Sequence, residues 1–255
     1  MNKLIVLLYG IVTYALGSGA LIYLIAFIFN LFVPLTIDAG EPGNLLIAST
    51  VNIGLITLFG LQHSIMARPA FKKWLTRFLP EAAERSTFLL ATAIVIFTLC
   101  LLWQPMPEVV WEADNVIFHK TLLAVGLTGW ALVFYSTFLI NHFDLFGLRQ
   151  VWLYFRGREY THLPFKLNSL YKYVRHPIMT GVFIGIWFTP VMTVGHLLFA
   201  AGMSAYILIG VYHEEKDLIK TFGSRYLNYI KSTSRYIPVP GTSKPIKKKS
   251  FTTDV

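Results

Sequence analysis

The sequence predicts an all-α fold: a polytopic bundle of five to six transmembrane helices that ends in a helical hairpin and carries its polar residues on one face. Three observations lead there. Of 255 residues, 55% are hydrophobic and only 14% charged, with a mean hydropathy of +0.57, too apolar for a single water-soluble core. The apolar residues fall in runs long enough to cross a bilayer, at about 4–33, 44–66, 86–104, 117–140, 178–192 and 195–212. The basic residues, finally, sort by segment. If the N-terminus is cytoplasmic, the inner segments 1–3, 67–85, 141–177 and 213–255 hold 1, 5, 6 and 9 Lys or Arg residues, 21 of the 22. Lys120 is the exception, and the outer loops carry Asp38, Glu41, Glu108, Glu112 and Asp114 instead. This is the positive-inside pattern. It accounts for the net charge of +9 through topology and contact with the lipid bilayer, and nucleic acid is not needed as a partner.

Each run then has its own reading. The first, Leu4 to Phe32, is too long for a signal-peptide core and lacks a small-residue cleavage site, so it is a span. His63 closes the second run and Arg85 opens the third. Cys100 is the single cysteine and lies within the third, which leaves no disulfide framework and no cysteine metal site. The fourth ends before an inner segment rich in Tyr, Arg and His. The last two are short and separated only by the turn from Pro190 to Gly195. They form either two spans or one re-entrant hairpin. Residues 1–240 make a single membrane domain; the basic segment 241–255 is expected to be a disordered tail near the lipid surface. Gly181 and Gly185 form a GxxxG pair that suits helix packing as well as it suits a site.

Two segments carry chemistry. In YVRHPIMTG, Tyr173 to Gly181, Pro177 forces His176 out of helical conformation and starts a helix behind it. The unpaired N–H groups of that helix face the inner surface, where they favour an anion, and Arg175 stands beside them. The second segment, His213 to Pro238, places Glu214 and Glu215 at the last apolar turn, where an acid needs a partner. Arg175, Arg225 and Arg235 are the candidates. Phe222-Gly223 reads as a helix stop, with Ser224 capping a short helix that shows Tyr226 and Tyr229 on one face. Acids, arginines and tyrosines in one corner suit a ligand that joins a zwitterionic amino-acid head to an aromatic base. A plain interfacial role for Arg175 and Lys172 fits the first segment equally.

YVRHPIMTG followed by HEEKDLIKTFGSRYLNYIKSTSRYIP resembles the signature of isoprenylcysteine carboxyl methyltransferases and their membrane relatives, with Met179 where that family more often has Tyr. The resemblance covers roughly 168–240 and implies a cytoplasmic cap that binds the cofactor S-adenosylmethionine. Tyr173, Val174, Arg175, His176, Pro177 and Gly181 would hold it from the first motif, and Glu214, Glu215, Tyr226, Tyr229 and Arg235 from the second. LQHSIMARPAFK (Leu61 to Lys72), ERSTFLL (Glu84 to Leu90) and NHFDLFGLRQVWL (Asn141 to Leu153) are similar to bacterial methanethiol S-methyltransferases. The first two are also similar to a membrane family associated with denitrification. The thiol branch implies an enzyme of the bacterial inner membrane that methylates a small thiol to dimethyl sulfide.

That reaction needs a thiolate and alignment with a methyl carbon, without a metal. His63, His142 and Asp144 are candidate bases, and Arg85 and Arg149 candidate stabilisers of the thiolate. Asp144 is the only acid between Asp114 and Glu159, although it could pair with Arg149 for structural reasons alone. Phe143, Phe146, Trp103 and Trp152 could wall an apolar pocket or form interface belts. Rival readings are methylation of an isoprenylcysteine or lipid headgroup, an NADPH-dependent sterol-reductase-like protein, and a transporter or accessory factor of nitrogen-oxide metabolism. Ionisable residues are scarce at mid-membrane depth, which argues against transport.

Overall fold

The computed structural model describes residues 2–161, 163 and 168–239; the 241–255 segment lies outside them. α1 (Lys3–Ile28) starts where the Asn2 side chain accepts the Leu4 N–H at 2.9 Å. α2 (Leu45–Ala67) is capped likewise by Asn44. Both caps satisfy amide donors that have no partner within the helix. Pro69 then opens the short α3 (Pro69–Leu75), and a single 3-10 turn at Glu81–Ala83 leads into α4 (Glu84–Leu102). β1 (Val109–Glu112) precedes α5 (Val116–Ile140), which Asn115 caps. α6 (His142–Leu145) and α7 (Leu148–Phe155) follow, joined at Gly147 with φ +86°. The chain ends in α8 (Pro177–Trp187), β2 (Val191–Thr193), α9 (Val194–Phe222) and α10 (Ser224–Ser232).

Five helices are long and apolar enough to cross a membrane: α1, α2, α4 with its leading turn, α5 and α9. The expected terminal hairpin has unequal arms. The 11 residues of α8 rise about 17 Å, little more than half of a hydrocarbon core of roughly 30 Å. α9, by contrast, does not stop near residue 212 but runs 29 residues to Phe222. Val211 to Phe222 contains no Gly or Pro, and Asp217 pairs with Lys220 one turn on at 3.3 Å, so nothing breaks the helix where its hydropathy falls.

α8 packs along α5 through backbone contact. A Cβ on Gly129 would lie 2.6 Å from the Gly185 nitrogen, and one on Gly181 would lie 2.6 Å from the Gly129 carbonyl oxygen. The GxxxG pair is thus a packing seam. α1, α2, α4 and α9 complete the bundle around Phe27, Leu99, Trp103, Trp130, Phe199 and Met203. Trp103 packs on Phe27 and Phe199 near the β1 end, so it is a core residue remote from the basic end and not a wall of an inner pocket.

A two-stranded sheet, absent from the sequence reading, closes that end. Val109 pairs with Thr193 and Glu112 with Val191, antiparallel. Its backbone bonds join the α4–α5 link to the α8–α9 turn, so short apolar segments without helix length still satisfy their amides. Asp38 draws in the α1–α2 loop, accepting from the Thr193 hydroxyl at 2.6 Å and from Asn30 at 2.9 Å. At the opposite, basic end, Gly223 (φ +56°) ends α9 and is itself the residue that precedes α10. Ser224, expected as the cap, is the first helical residue and makes no capping bond. Only a residue at ease with positive φ can turn the chain so tightly, and Gly is that residue.

Candidate active site

α10 and the strand after it bring the second motif back onto the first. Val174 bridges to Ser234 in parallel register. The Arg175 amide donates to the Ser234 carbonyl at 2.8 Å and the His176 amide to the Arg235 carbonyl at 3.1 Å. These bonds hold the stretch that Pro177 keeps out of the helix. Arg175 is buried and directs Nε to Glu215 Oε1 at 2.8 Å, while Nη1 donates to the carbonyls of Thr233 and Ile230. His176 Nε2 donates to the same Glu215 oxygen at 3.2 Å, and Arg235 Nη2 to the other at 2.5 Å. A carboxylate at the end of an apolar stretch is tolerable because both of its oxygens accept from buried or half-buried donors. Glu215 strengthens the hold of Arg235 on its proton, while burial keeps the His176 imidazole below the ordinary histidine range against the pull of Glu215.

Glu214 points elsewhere: its side chain is half-exposed, with Oε2 3.7 Å from His176 Nδ1. Tyr226 and Tyr229 are buried edge to face, and Tyr229 donates to the Tyr171 carbonyl at 2.5 Å. Burial raises both phenols above their usual range, so they remain protonated. Tyr173 is exposed, and Gly181 faces α5 at the seam. Pro177 opens α8, whose first amides have no side-chain cap. Above them, Thr180 donates to the Tyr236 carbonyl at 2.7 Å. The Tyr236 ring lies against His176 and Phe183, its hydroxyl buried without a hydrogen-bond partner among the described residues.

A second group gathers around Asp144. Its Oδ1 accepts from Arg149 at 2.9 Å, its Oδ2 from Tyr160 at 3.2 Å, and Arg85 stands 3.7 Å away. The Asp144 carbonyl accepts from Arg85 and Gln150, and its amide donates to the Asn141 side chain at 3.0 Å. Arg149 also reaches both oxygens of Thr161 and covers the Tyr160 ring. Burial, followed by the Asp144 charge, raises the Tyr160 phenol.

His142 forms a third group. The Thr137 hydroxyl donates to the Phe134 carbonyl at 2.7 Å, so it accepts from His142 Nδ1 at 2.8 Å. Nε2 therefore accepts from the Tyr14 hydroxyl at 2.7 Å. The ring lies flat on Phe138 with centroids 4.2 Å apart, and burial lowers its affinity for a proton. His63 sits one turn inside the end of α2 among Phe59, Phe88 and Tyr206. Its Nδ1 is buried and has no hydrogen-bond partner among the described residues. The candidate residues thus fall into four local groups: Arg175–Glu215, Asp144–Arg149, His142–Tyr14 and His63.

Comparison with known proteins covers nearly the whole chain. It is 42% identical over 241 residues to the methanethiol S-methyltransferase of Crocosphaera subtropica, spanning 94% of each chain. It is 45% identical over 236 residues to methanethiol S-methyltransferase 2 of Bradyrhizobium diazoefficiens, covering 92% of this chain and 91% of that one. The chain belongs to the methanethiol S-methyltransferase family. The family's member from Mycobacterium tuberculosis is 42% identical over 240 residues, covering 94% of this chain and 98% of its own. No family model matches the chain and no solved structure does.

In this methanethiol S-methyltransferase family member, the residues that sequence reasoning missed are mostly acceptors. The carbonyls of Thr233, Ser234 and Arg235 leave no mark in a sequence, because every residue type has one. Tyr14 and Thr137 lie within apolar spans, where a hydroxyl is common and its partner is set only by the fold. Tyr236 stood inside the quoted second motif and could have been named from the aromatic that follows Arg235.

Proposed function

We propose that this chain transfers a methyl group from S-adenosylmethionine to methanethiol, giving dimethyl sulfide at the basic, cytoplasmic end of the bundle. The names of its relatives support the reaction and acceptor. The positive-inside distribution supports cytoplasmic termini and a bacterial inner membrane. One observation carries the methyl-donor site: the two motifs close into a single corner in which Arg175, His176 and Arg235 surround Glu215 beside the uncapped start of α8.

The corner fits that donor. The N–H groups of the first turn of α8, which no side chain caps, suit a carboxylate, Glu214 has an exposed carboxylate for an ammonium group, and the Tyr236 hydroxyl has no hydrogen-bond partner among the described residues. Bound there, S-adenosylmethionine supplies a sulfonium methyl group open to displacement by sulfur. Arg175 and Glu215 are spent on one another and on the chain, so they fix the shape of the corner. The groups left to meet the ligand are the α8 amides, Glu214 and Tyr236.

The acceptor must lose its proton, because the thiolate is the nucleophile. Asp144 is already engaged by two guanidinium groups and a phenol. Both nitrogens of His142 are engaged. Of the three candidates, His63 has a ring nitrogen, Nδ1, without a hydrogen-bond partner among the described residues, and we assign it, in the tautomer protonated at Nε2, as the base that accepts the thiol proton. Tyr206, in contact with the His63 ring, lies eight residues before Glu214 on α9, about 12 Å along its axis, which links base and donor corner through one rigid helix. Arg85 and Arg149 hold the Asp144 turn beneath.

Headspace gas chromatography of purified protein with methanethiol and S-adenosylmethionine tests the reaction. Dimethyl sulfide should form only when protein and both reactants are present. Protein that binds S-adenosylmethionine but yields none would overturn the acceptor. His63→Asn should lower turnover by about 10²–10⁴-fold while S-adenosylmethionine still binds, and undiminished turnover would remove His63 from the base position.

A further inference from the structure

A cleft of about 1240 Å³ opens at the basic end, between α3 and the α1–α7 pair, and the proposed reaction makes no use of it. Its cations come from four places: Lys3 at the start of α1, Lys72 and Lys73 on α3, Arg85 on α4, and Arg158 beyond α7. Glu81, Glu84 and Glu159 line it as well. Lys72 stands 3.6 Å from Glu84, while Arg85 only shares Asp144 with the nearer Arg149. Five cations facing Glu81, Glu84 and Glu159 leave the lining with a surplus of two positive charges.

α3 fixes the depth of the cleft. Phe71 and Trp74 on α3 and Phe78 just beyond it, spaced three and four residues apart, form one row of tilted and edge-to-face rings with centroids 5.2 and 5.5 Å apart. Trp74 is 50% and Phe78 70% exposed. A row of exposed aromatics beside lysines on a short helix belongs at the boundary between hydrocarbon and headgroups. At that depth a cleft with a surplus of positive charge meets lipid phosphates.

We propose that this cleft binds the phosphodiester headgroup of an anionic phospholipid, with Lys3, Lys73 and Arg158 as its ligands and the α3 aromatics beside its acyl chains. A phosphodiester of net charge −1 offsets part of that surplus, and Tyr154 in the lining offers a hydroxyl to the glycerol. Because Arg85 and Gln150 line the cleft and also hold the Asp144 carbonyl, headgroup binding steadies the turn that carries α6 and α7.

The test uses the full chain in an uncharged detergent, titrated with short-chain phosphatidylglycerol and followed by thermal unfolding and native mass spectrometry. Phosphatidylglycerol should raise the melting temperature and remain bound, and phosphatidylcholine should not. Lys73→Gln and Arg158→Gln should each weaken the apparent affinity about fivefold, whereas Lys220→Gln, an exposed juxtamembrane cation outside the cleft, should leave it unchanged. Equal effects from phosphatidylcholine, or an equal loss in Lys220→Gln, would reduce the site to general surface charge and overturn it. So would parental affinity in both cleft variants. The same shift from glycerol phosphate at equal concentration would make the ligand a soluble phosphate ester and overturn the lipid.

Discussion

Glu215 decides the donor corner at the scale of single residues. Replacing it with Ala leaves Arg175 buried without a counter-charge, and the expected cost is about 3–5 kcal/mol, read as a lower melting temperature in detergent. Glu215→Gln keeps hydrogen-bond acceptance on one oxygen and should cost less. The buried histidines give a pH signature. His142 and His176 both sit below the ordinary value near 6.5, so the unfolded chain takes up protons first as the medium is acidified. Their contribution is therefore intact above about pH 6.5 and is lost as the pH falls below it. Melting temperatures recorded from about pH 7.5 down to about 5.5 should decline, and His142→Gln should flatten part of that decline. A parental slope in that variant would remove His142 from the account. That an acid at the edge of an apolar stretch must find a cation was readable in advance, but the choice of Glu215 with Arg175 and Arg235, rather than Arg225, was left to the fold. The role of Asp144 was readable only in outline. Its neighbours Arg85 and Tyr160 lie 59 and 16 residues away, and only the folded chain selects them from the other arginines and tyrosines.

Among the elements, the α5–α8 seam has the sharpest consequence. Gly181→Ala drives a methyl group into the Gly129 carbonyl and should destabilise the protein by about 1–3 kcal/mol. Gly54→Ala, on α2 with open space around it, should be neutral or gain up to about 1 kcal/mol. Thermal unfolding of the pair compares them directly, and equal melting temperatures would contradict the seam. The long spans were legible because hydropathy alone dictates them in lipid. The α8–α9 hairpin was misjudged at both arms for one reason. Hydropathy reports where a chain prefers lipid, whereas helix length follows from where backbone breakers stand, and α9 has none between Val211 and Phe222. The β1–β2 pair left no pattern at all, being three or four residues a strand and fixed by neighbours distant in the chain.

For the molecule as a whole, one end is held by backbone pairing and the other by charge. The fold class was legible from composition, and the polar end from the distribution of Lys and Arg. The division of that end into four local groups was not, since sequence gives depth along each helix but not direction around it. Ending the chain after Ser232 removes Ser234 and Arg235, and with them the backbone bonds to Arg175 and His176. The truncated protein should keep its helical circular dichroism and lose S-adenosylmethionine binding, measured by calorimetry. Binding that survives would place the donor elsewhere.

The span of sequence between Arg175 and its partners also sets an order in time. Glu215 lies 40 residues and Thr233 58 residues beyond Arg175, so during synthesis, which proceeds from the N-terminus, the arginine is made long before either exists. Each growing chain passes through an interval in which its membrane helices are being laid down while the guanidinium stands uncompensated. The last short helix and the strand after it end that interval. Closure of the corner thus comes late in the making of the protein, after its last long helix.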